Sequence, residues 1–199
     1  MHEPFWEAMV RAGISGYQAA DSFDLASPSA GSPVWSAMRF GQSITFLPDG
    51  RIVQIAGEHE DHYDPDFCIY NDVVVHSGDG SVAIFGYPEA VFPPTDFHTA
   101  TMVDGSIYVI GSLGYEGARR YGETPVYRLD VTTLSMERLD TNGEGPGWIY
   151  EHRAGRVGPS EIRVSGGKVA TQADGGEAHM ENTDAFLLDV TRLIWRRER

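Results

Sequence analysis

The densest group of side chains able to do chemistry is an acidic segment, residues 58–66, that also carries two histidines. His59 and His62 stand three residues apart, with Glu58 and Asp61 beside them. Imidazole and carboxylate groups in one loop can bind a divalent metal ion. The spacing is not that of a defined metal motif, and a solvated loop whose Asp side chains cap turns accounts for the same residues. The sequence therefore predicts a binding loop here, with a metal site at His59 and His62 and a solvated acidic loop as the two interpretations.

Two other histidines occupy matching places farther along the chain. His98 lies two residues after Asp96, and His152 directly precedes Arg153. Each histidine stands where a strand is expected to begin, so one interpretation makes both of them structural hydrogen-bonding groups. The other interpretation places these four side chains and Glu151 around a central pocket, together with the acidic loop.

A basic pair is the third candidate site. Arg119 and Arg120 lie next to each other in a polar loop of a chain that is otherwise acidic. The planar guanidinium group matches the geometry of carboxylate and phosphate, so an anionic group of a ligand would bind there. An ordinary solvated loop is the competing interpretation.

The elements that must position these residues repeat along the chain. Ile52, Ile107 and Ile162 stand 55 residues apart, each in a short apolar strand that ends in glycine. An Asp-Gly pair precedes the first two of these strands, and Asp-Gly supplies the positive φ angles of a tight hairpin turn. A long polar loop and two more strands follow in each repeat. Repetition at this length predicts an array of similar units.

The last two strands of repeats two and three contain the most closely matched segment. Leu-Asp-Val-Thr occurs at 129–132 and again at 188–191, between two strands in both cases. Four antiparallel strands per repeat are typical of β-propeller blades, and a β-sandwich with similar hairpins is the alternative. We predict an all-β fold of about three blades in one structural domain, with the repeats at about 40–92, 93–147 and 148–199.

Residues 1–39 precede the repeats. Phe5, Met9 and Ala12 fall on one face at helical spacing and predict a short helix over residues 5–12. We expect this helix to pack on the edge of the β structure. No other segment has a convincing helical period, so one short N-terminal helix is expected.

The composition excludes several classes of function. The chain has 199 residues and a formal net charge of −14, which argues against binding to nucleic acid or to anionic lipid. The single cysteine, Cys68, leaves no internal disulfide. The N-terminus has no signal-peptide pattern, and no apolar run approaches the length of a membrane span. The sequence therefore predicts a cytoplasmic protein with no membrane or nucleic-acid partner, and its charge favours a metal cation or a basic protein.

The three repeats resemble kelch repeats. A kelch repeat has an apolar strand that ends in two glycines, a tyrosine near its third strand and a tryptophan in its fourth. Gly166, Gly167 and Trp195 carry this pattern in repeat three, and Gly111 and Tyr127 carry it in repeat two. The resemblance implies a kelch-like β-propeller.

The resemblance covers about residues 40–197 and implies a partial, or half, propeller, because kelch propellers usually have six or seven blades. Trp35, in an expected strand over 33–38, resembles the fourth-strand tryptophan of a blade whose front half is missing. The resemblance also implies that His98 and His152 lie near the propeller axis, where such a histidine commonly hydrogen-bonds backbone across blades. Residues 1–39 would thus hold the helix and a partial blade.

A partial propeller leaves sheet faces open, and an uncovered face exposes apolar side chains that a soluble monomer rarely tolerates. We therefore expect a two-fold homodimer whose contact combines Phe5–Met9, the strand with Trp35 and the last blade around Trp195. A monomer whose N-terminal helix covers the open face is the alternative.

These features predict a protein-interaction module built on a partial kelch propeller. Repeat arrays are more often binding surfaces than enzymes, so the sequence favours binding over catalysis. The acidic charge suits an inhibitor or immunity-type protein with a basic protein partner. The alternative function is a metal-assisted lyase or hydrolase at the propeller mouth. It would need a divalent metal at His59 and His62, the one cofactor that the sequence suggests.

Overall fold

The computed structural model describes residues 3–24, 35–61 and 64–199. Within these ranges the chain is mostly β, and none of its helices has the length and apolar character that a membrane crossing needs. The helices are α1 (Pro4–Ala12) and α2 (Gly16–Ser22), with a 3-10 turn at Glu116–Ala118. The strands are β1 (Ser43–Phe46), β2 (Ile52–Ile55), β3 (Glu58–Asp61), β4 (Asp64–Ile69), β5 (Asp72–His76), β6 (Val82–Gly86), β7 (Thr99–Val103), β8 (Ser106–Ile110), β9 (Val126–Asp130), β10 (Met136–Arg138), β11 (Asn142–Gly143), β12 (Trp148–Tyr150), β13 (Arg153–Arg156), β14 (Glu161–Ser165), β15 (Lys168–Ala173), β16 (Gly176–Glu181), β17 (Ala185–Asp189) and β18 (Ile194–Arg197).

Three sheets share one strand order. Sheet one is β1-β2-β5-β6, sheet two is β7-β8-β9-β10, and sheet three is β13-β14-β17-β18, each antiparallel throughout. The short strand β11 joins sheet three in parallel to β18. The first strands lie side by side, with β7 between β1 and β13. The expected four-stranded antiparallel unit is thus confirmed three times.

Each repeat carries an insertion between its second and third strands. In sheet one the insertion is the hairpin β3–β4, and in sheet two it is the loop over 111–125 with the 3-10 turn. In sheet three it is the hairpin β15–β16, which also pairs with β12. These are the long polar loops that the sequence predicts, and they carry the acidic segment and the basic pair.

The repeated Leu-Asp-Val-Thr segments fold into the same turn. The carboxylate of Asp130 accepts a hydrogen bond from the backbone N–H of Thr132 at 2.9 Å. The carboxylate of Asp189 accepts the matching bond from Thr191, also at 2.9 Å. An Asp that hydrogen-bonds the backbone two residues ahead stabilises a chain reversal. The sequence match therefore has a local physical cause.

The core lies between consecutive sheets. On β8, Ile107 and Val109 belong to the apolar cluster shared with sheet one, whereas Tyr108 and Ile110 belong to the cluster shared with sheet three. Alternate residues of a strand point to opposite faces, so this strand is covered on both sides. Ile107, Val109, Ile162 and Val164 are each 0% exposed, as the repeat pattern predicts.

Truncation of this core is expected to destabilise the fold strongly. Ile107→Ala should lower the free energy of unfolding by about 2–4 kcal/mol, because it removes buried apolar atoms and leaves a cavity. Urea unfolding gives the value, and Ile194→Ala, at a site 45% exposed, is the control with an expected loss below about 1 kcal/mol. Equal losses in the two variants would contradict the placement of β8 between two sheets.

The expected N-terminal helix is confirmed, but helix α1 packs on the outer face of sheet one, over β5 and β6, rather than on an edge of the β structure. The helix ends at Gly13, whose φ of +62° is left-handed and whose N–H donates to the carbonyl of Met9 at 2.8 Å. Its side chains Trp6 and Val10 pack against an apolar cluster on β5 and β6, formed by Val74, Val82 and Ile84.

Two further expectations for the N-terminal region are wrong. A second helix, α2, forms because Ser15 and Gln18 make a capping box: the Ser15 hydroxyl accepts from the backbone N–H of Gln18 at 3.3 Å, and the side-chain Oε1 of Gln18 accepts from the backbone N–H of Ser15 at 3.0 Å. The strand expected over 33–38 is absent from the described residues 35–38. Trp35 instead stacks on Trp6 of α1, with ring centroids 5.2 Å apart, so it belongs to the cap of sheet one rather than to a partial blade.

Candidate functional site

A cavity of about 410 Å³ lies beside sheet two. It opens between the segment that joins β6 to β7 and the loop that joins β8 to β9, with β12 at its side. Its larger apolar lining residues are Val91, the prolines Pro93, Pro94 and Pro125, and the aromatic residues Tyr127 and Trp148. Small-molecule sites are usually cavities of about 300–1,000 Å³ with apolar walls and a few polar groups. This cavity is the candidate functional site.

Asp96 fixes the floor of the cavity. Its carboxylate accepts hydrogen bonds from the N–H of Gly114 at 2.6 Å and from the Ser112 hydroxyl at 3.3 Å. Its own N–H donates to that hydroxyl at 3.3 Å. Asp96 is 0% exposed and joins the segment before β7 to the loop after β8. This predicted site residue does not itself line the cavity, but it holds Ser112 and Gly114, which do.

Asp96 also pairs with Glu58, which is 9% exposed at the start of β3. The Oδ2 atom of Asp96 has no donor among the described protein groups, so the two carboxyl groups can share a hydrogen bond only when one of them carries a proton. Burial raises the pKa of Asp96, which favours that proton. Because the folded-state pKa is raised, the stability that this proton supplies is present at low pH and is lost as the pH rises through the folded-state pKa.

The two members of the predicted basic pair have different surroundings. Arg119 donates to the carbonyl oxygens of Leu113 at 2.8 Å and of Gly114 at 2.9 Å, and it forms an ion pair with Glu177 of β16. Its side chain is 10% exposed, so it holds the loop in place. Arg120 is exposed and lines the cavity, and its side chain makes no ion pair with another residue in the described part of the chain.

Glu177 is the centre of a polar network beside the cavity. It accepts from the Tyr121 hydroxyl at 2.7 Å and lies 2.8 Å from His179 Nε2, and His179 Nδ1 lies 2.8 Å from the Tyr150 hydroxyl. Burial alone would raise the pKa of Glu177, but the Tyr121 hydrogen bond and the charge of Arg119 hold it below its usual value. The order carboxylate, imidazole, hydroxyl is that of a catalytic triad. Tyr150 is only 5% exposed, however, so the network holds hairpin β15–β16 against β12.

The two predicted histidines link the sheets instead of entering the cavity. The Nε2 atom of His98 lies 2.8 Å from the hydroxyl of Ser43, which begins β1. The Nε2 atom of His152 lies 2.8 Å from the hydroxyl of Thr99, which begins β7. Each histidine thus bonds a side chain of the preceding sheet near the row of first strands. Arg153 begins β13 and is exposed.

Burial keeps both of these histidines neutral. It lowers the pKa of His98 to about 3, with a further contribution from His152, and it lowers the pKa of His152 to about 4. A neutral imidazole has one donor and one acceptor nitrogen, and Nε2 of each ring has a hydroxyl partner. The structural interpretation of the two residues accounts for these contacts.

The metal interpretation of the acidic segment remains a prediction. His59 lies in β3, and its Nδ1 is buried without a hydrogen-bond partner among the described groups. His62 and the side chain of Asp61 lie outside the described residues. Within the described part of the chain, no group of three or more His, Cys, Asp or Glu side chains is placed to hold a metal ion. Metal analysis of protein purified without a histidine tag tests this prediction.

Several residues of the cavity and its network were not predicted as site residues from the sequence, although the kelch resemblance includes Tyr127 as a repeat residue. Tyr127, Arg138 and Glu177 lie within strands, where the repeat pattern predicts only alternation of faces. Their chemistry depends on neighbours distant in the chain. A comparison with protein-family models and with curated proteins finds no match for this chain.

Proposed function

We propose that this chain is a binding module built on a partial kelch-like propeller of about three blades. Three sheets of one strand order support the propeller, as do first strands that lie side by side. The histidine–hydroxyl links from sheet two to sheet one and from sheet three to sheet two repeat the same contact, as blades of one array would. The insertions between second and third strands form the binding side of this module.

The cavity is the observation that carries the binding function. It has apolar walls, a floor fixed by buried hydrogen bonds, and Arg119, Arg120 and Arg138 in its lining. A chain with only 15 Lys and Arg residues and a net charge of −14 places three of these cations at one cavity. We propose that a ligand, or a group projecting from a protein partner, binds there. A basic protein partner for the acidic outer surface, as in an inhibitor or immunity-type protein, remains part of the proposal.

The homodimer also remains a proposal, with a different contact. Met9 and Trp195 of the expected patch are 0% and 3% exposed, and the outer face of sheet three carries ion pairs such as Arg163–Glu198 at 2.7 Å. Ile44 and Phe46 of β1 are 52% and 75% exposed, so a contact between two copies would lie there. Light scattering distinguishes the monomer mass of 21.9 kDa from twice that mass.

Blocking the cavity tests the binding function. Ala118 lines the cavity and is exposed, so Ala118→Trp should fill the entrance without disturbing the core. We expect aromatic fragments, charged and uncharged, to give saturation-transfer NMR signals with the wild-type protein and to lose them with Ala118→Trp. Thr132→Trp, at an exposed turn of sheet two, is the control and should keep the signals. Fragments that bind both variants equally would show that the cavity is not the site.

A further inference from the structure

We infer that the cavity binds a small organic monoanion, a carboxylate attached to a flat apolar body. This inference rests on the proposed binding function and names its ligand class. Three features of the lining support it: an arginine without an ion pair among the described residues, polar groups that already have hydrogen-bond partners, and acidic side chains that limit the charge of a ligand.

The anionic group of the ligand belongs at Arg120 and Arg138. Arg119 already donates to two carbonyl oxygens and to Glu177, so its guanidinium is engaged. Arg120 has no ion pair with another described residue. Arg138 meets Glu123 at 3.2 Å, but the two side chains are 41% and 54% exposed, and such exposed pairs contribute little. A ligand carboxylate can therefore contact Arg120. It can also replace the Glu123 carboxylate as the partner of the Arg138 guanidinium.

Tyr127 adds a hydroxyl donor to the lining of the cavity. Its ring is buried in the core, and burial raises the pKa of its hydroxyl, while the charges of Arg138 and Arg120 act in the opposite direction. Arg120, Arg138 and Tyr127 all line this cavity. The hydroxyl donates to no other group in the described ranges, so it is available to a carboxylate. A guanidinium fork and a hydroxyl together match the two oxygens of a carboxylate.

The floor of the cavity suits the apolar part of the ligand. The Thr95 hydroxyl donates to the carbonyl of Pro93 at 2.7 Å, and the Ser112 hydroxyl is engaged by Asp96 in both directions. These polar groups have partners already, so a ligand gains little by placing a polar group there. The neighbouring walls are the rings of prolines and of Trp148, whose indole N–H donates to the carbonyl of Leu113 at 3.1 Å. A flat apolar body fits between them.

Acidic side chains limit the charge of the ligand. Glu89 and Glu123 line the same cavity as the arginines. A second negative charge on the ligand would meet these carboxylates, because like charges in a partly enclosed site repel each other. A monoanion is therefore favoured over a phosphate monoester, which carries about two charges at neutral pH.

Calorimetric titration of three probes tests the ligand class. The probes are 2-naphthoate, its uncharged amide 2-naphthamide, and inorganic phosphate. We expect 2-naphthoate to bind the wild-type protein at least about tenfold more tightly than either of the other two, a difference of about 1.4 kcal/mol. Arg120→Gln should weaken naphthoate by about tenfold and leave naphthamide unchanged. Arg192→Gln removes one charge from a side chain that is 78% exposed in the last hairpin, and it should behave as wild type.

Each contrary result overturns a defined part of the inference. Equal binding of naphthoate and naphthamide, with no effect of Arg120→Gln, would leave the cavity as a binding site but refute the anionic class. Phosphate that binds as tightly as naphthoate would refute the apolar body. Failure of all three probes to bind would refute the ligand class, and the Ala118→Trp fragment comparison would then decide separately whether the cavity binds anything. Because Arg120 is exposed, its variant should keep the wild-type melting curve, which circular dichroism checks.

Discussion

Arg39→Ala is expected to lower the free energy of unfolding by about 3–5 kcal/mol, because it leaves a buried carboxylate without its counter-charge. Arg39 and Asp72 form an ion pair in which the side chains are 3% and 10% exposed. The guanidinium also donates to the carbonyl oxygens of Ser36 at 2.7 Å and of Ala56 at 3.1 Å, and it lies 3.7 Å from the centroid of the Tyr70 ring. One side chain thus ties the segment before β1 to sheet one.

Arg51→Ala is the matched control for this prediction. Arg51 pairs with Asp49 at 2.7 Å, but the two side chains are 25% and 53% exposed, so the expected loss is below about 1 kcal/mol. Chemical denaturation of the two variants gives both values. Arg39→Ala could instead lower the free energy of unfolding no more than Arg51→Ala does. The Asp72 carboxylate would then be solvated or paired with another group, and the buried ion pair would not be a source of stability.

Acidification is expected to destabilise the protein through the two inter-sheet histidines. Their folded-state pKa values, about 3 and about 4, lie below the usual value of 6.5. A depressed folded-state pKa means that stability is fully present above the unfolded-state pKa and is lost as the pH falls from about 6.5 toward the folded-state pKa. For His152 alone the loss between pH 7 and pH 4 should be about 3 kcal/mol. His98 adds to it with the same sign.

His152→Gln isolates this effect, because glutamine can still hydrogen-bond the Thr99 hydroxyl but does not titrate. Urea unfolding from pH 8 to pH 4 should give a shallower loss of stability for this variant than for the wild type. Thr99→Val removes the hydroxyl and keeps the buried imidazole, so it should lower stability at every pH while retaining the wild-type slope. A wild-type slope in His152→Gln would mean that the imidazole is not the buried titrating group.

Patterns that depend on a few neighbouring residues were predictable from the sequence. The Asp-Gly pair at 104–105 gives two positive φ angles, 46° and 80°, and the repeated Asp of the Leu-Asp-Val-Thr segments caps the same turn twice. The strands around Ile107 and Ile162 are buried as their spacing predicts, since a four-stranded repeat must place its apolar side chains toward its neighbours. Local geometry and periodicity are properties of the chain itself.

Only the tertiary structure decided which polar residues share a site. Arg119 and Arg120 are adjacent in sequence, yet Arg119 forms an ion pair with Glu177, whereas Arg120 lines the cavity and has no ion pair with another described residue. The sequence also predicted a strand at Trp35, where packing against helix α1 and sheet one prevailed over local preference. Burial and long-range pairing set the chemistry of an ionisable group, and both depend on residues distant in the chain, since Arg119 and Glu177 are 58 positions apart. Spacing alone therefore predicts the sheets and their turns, and three-dimensional contact determines the cavity and the charges that line it.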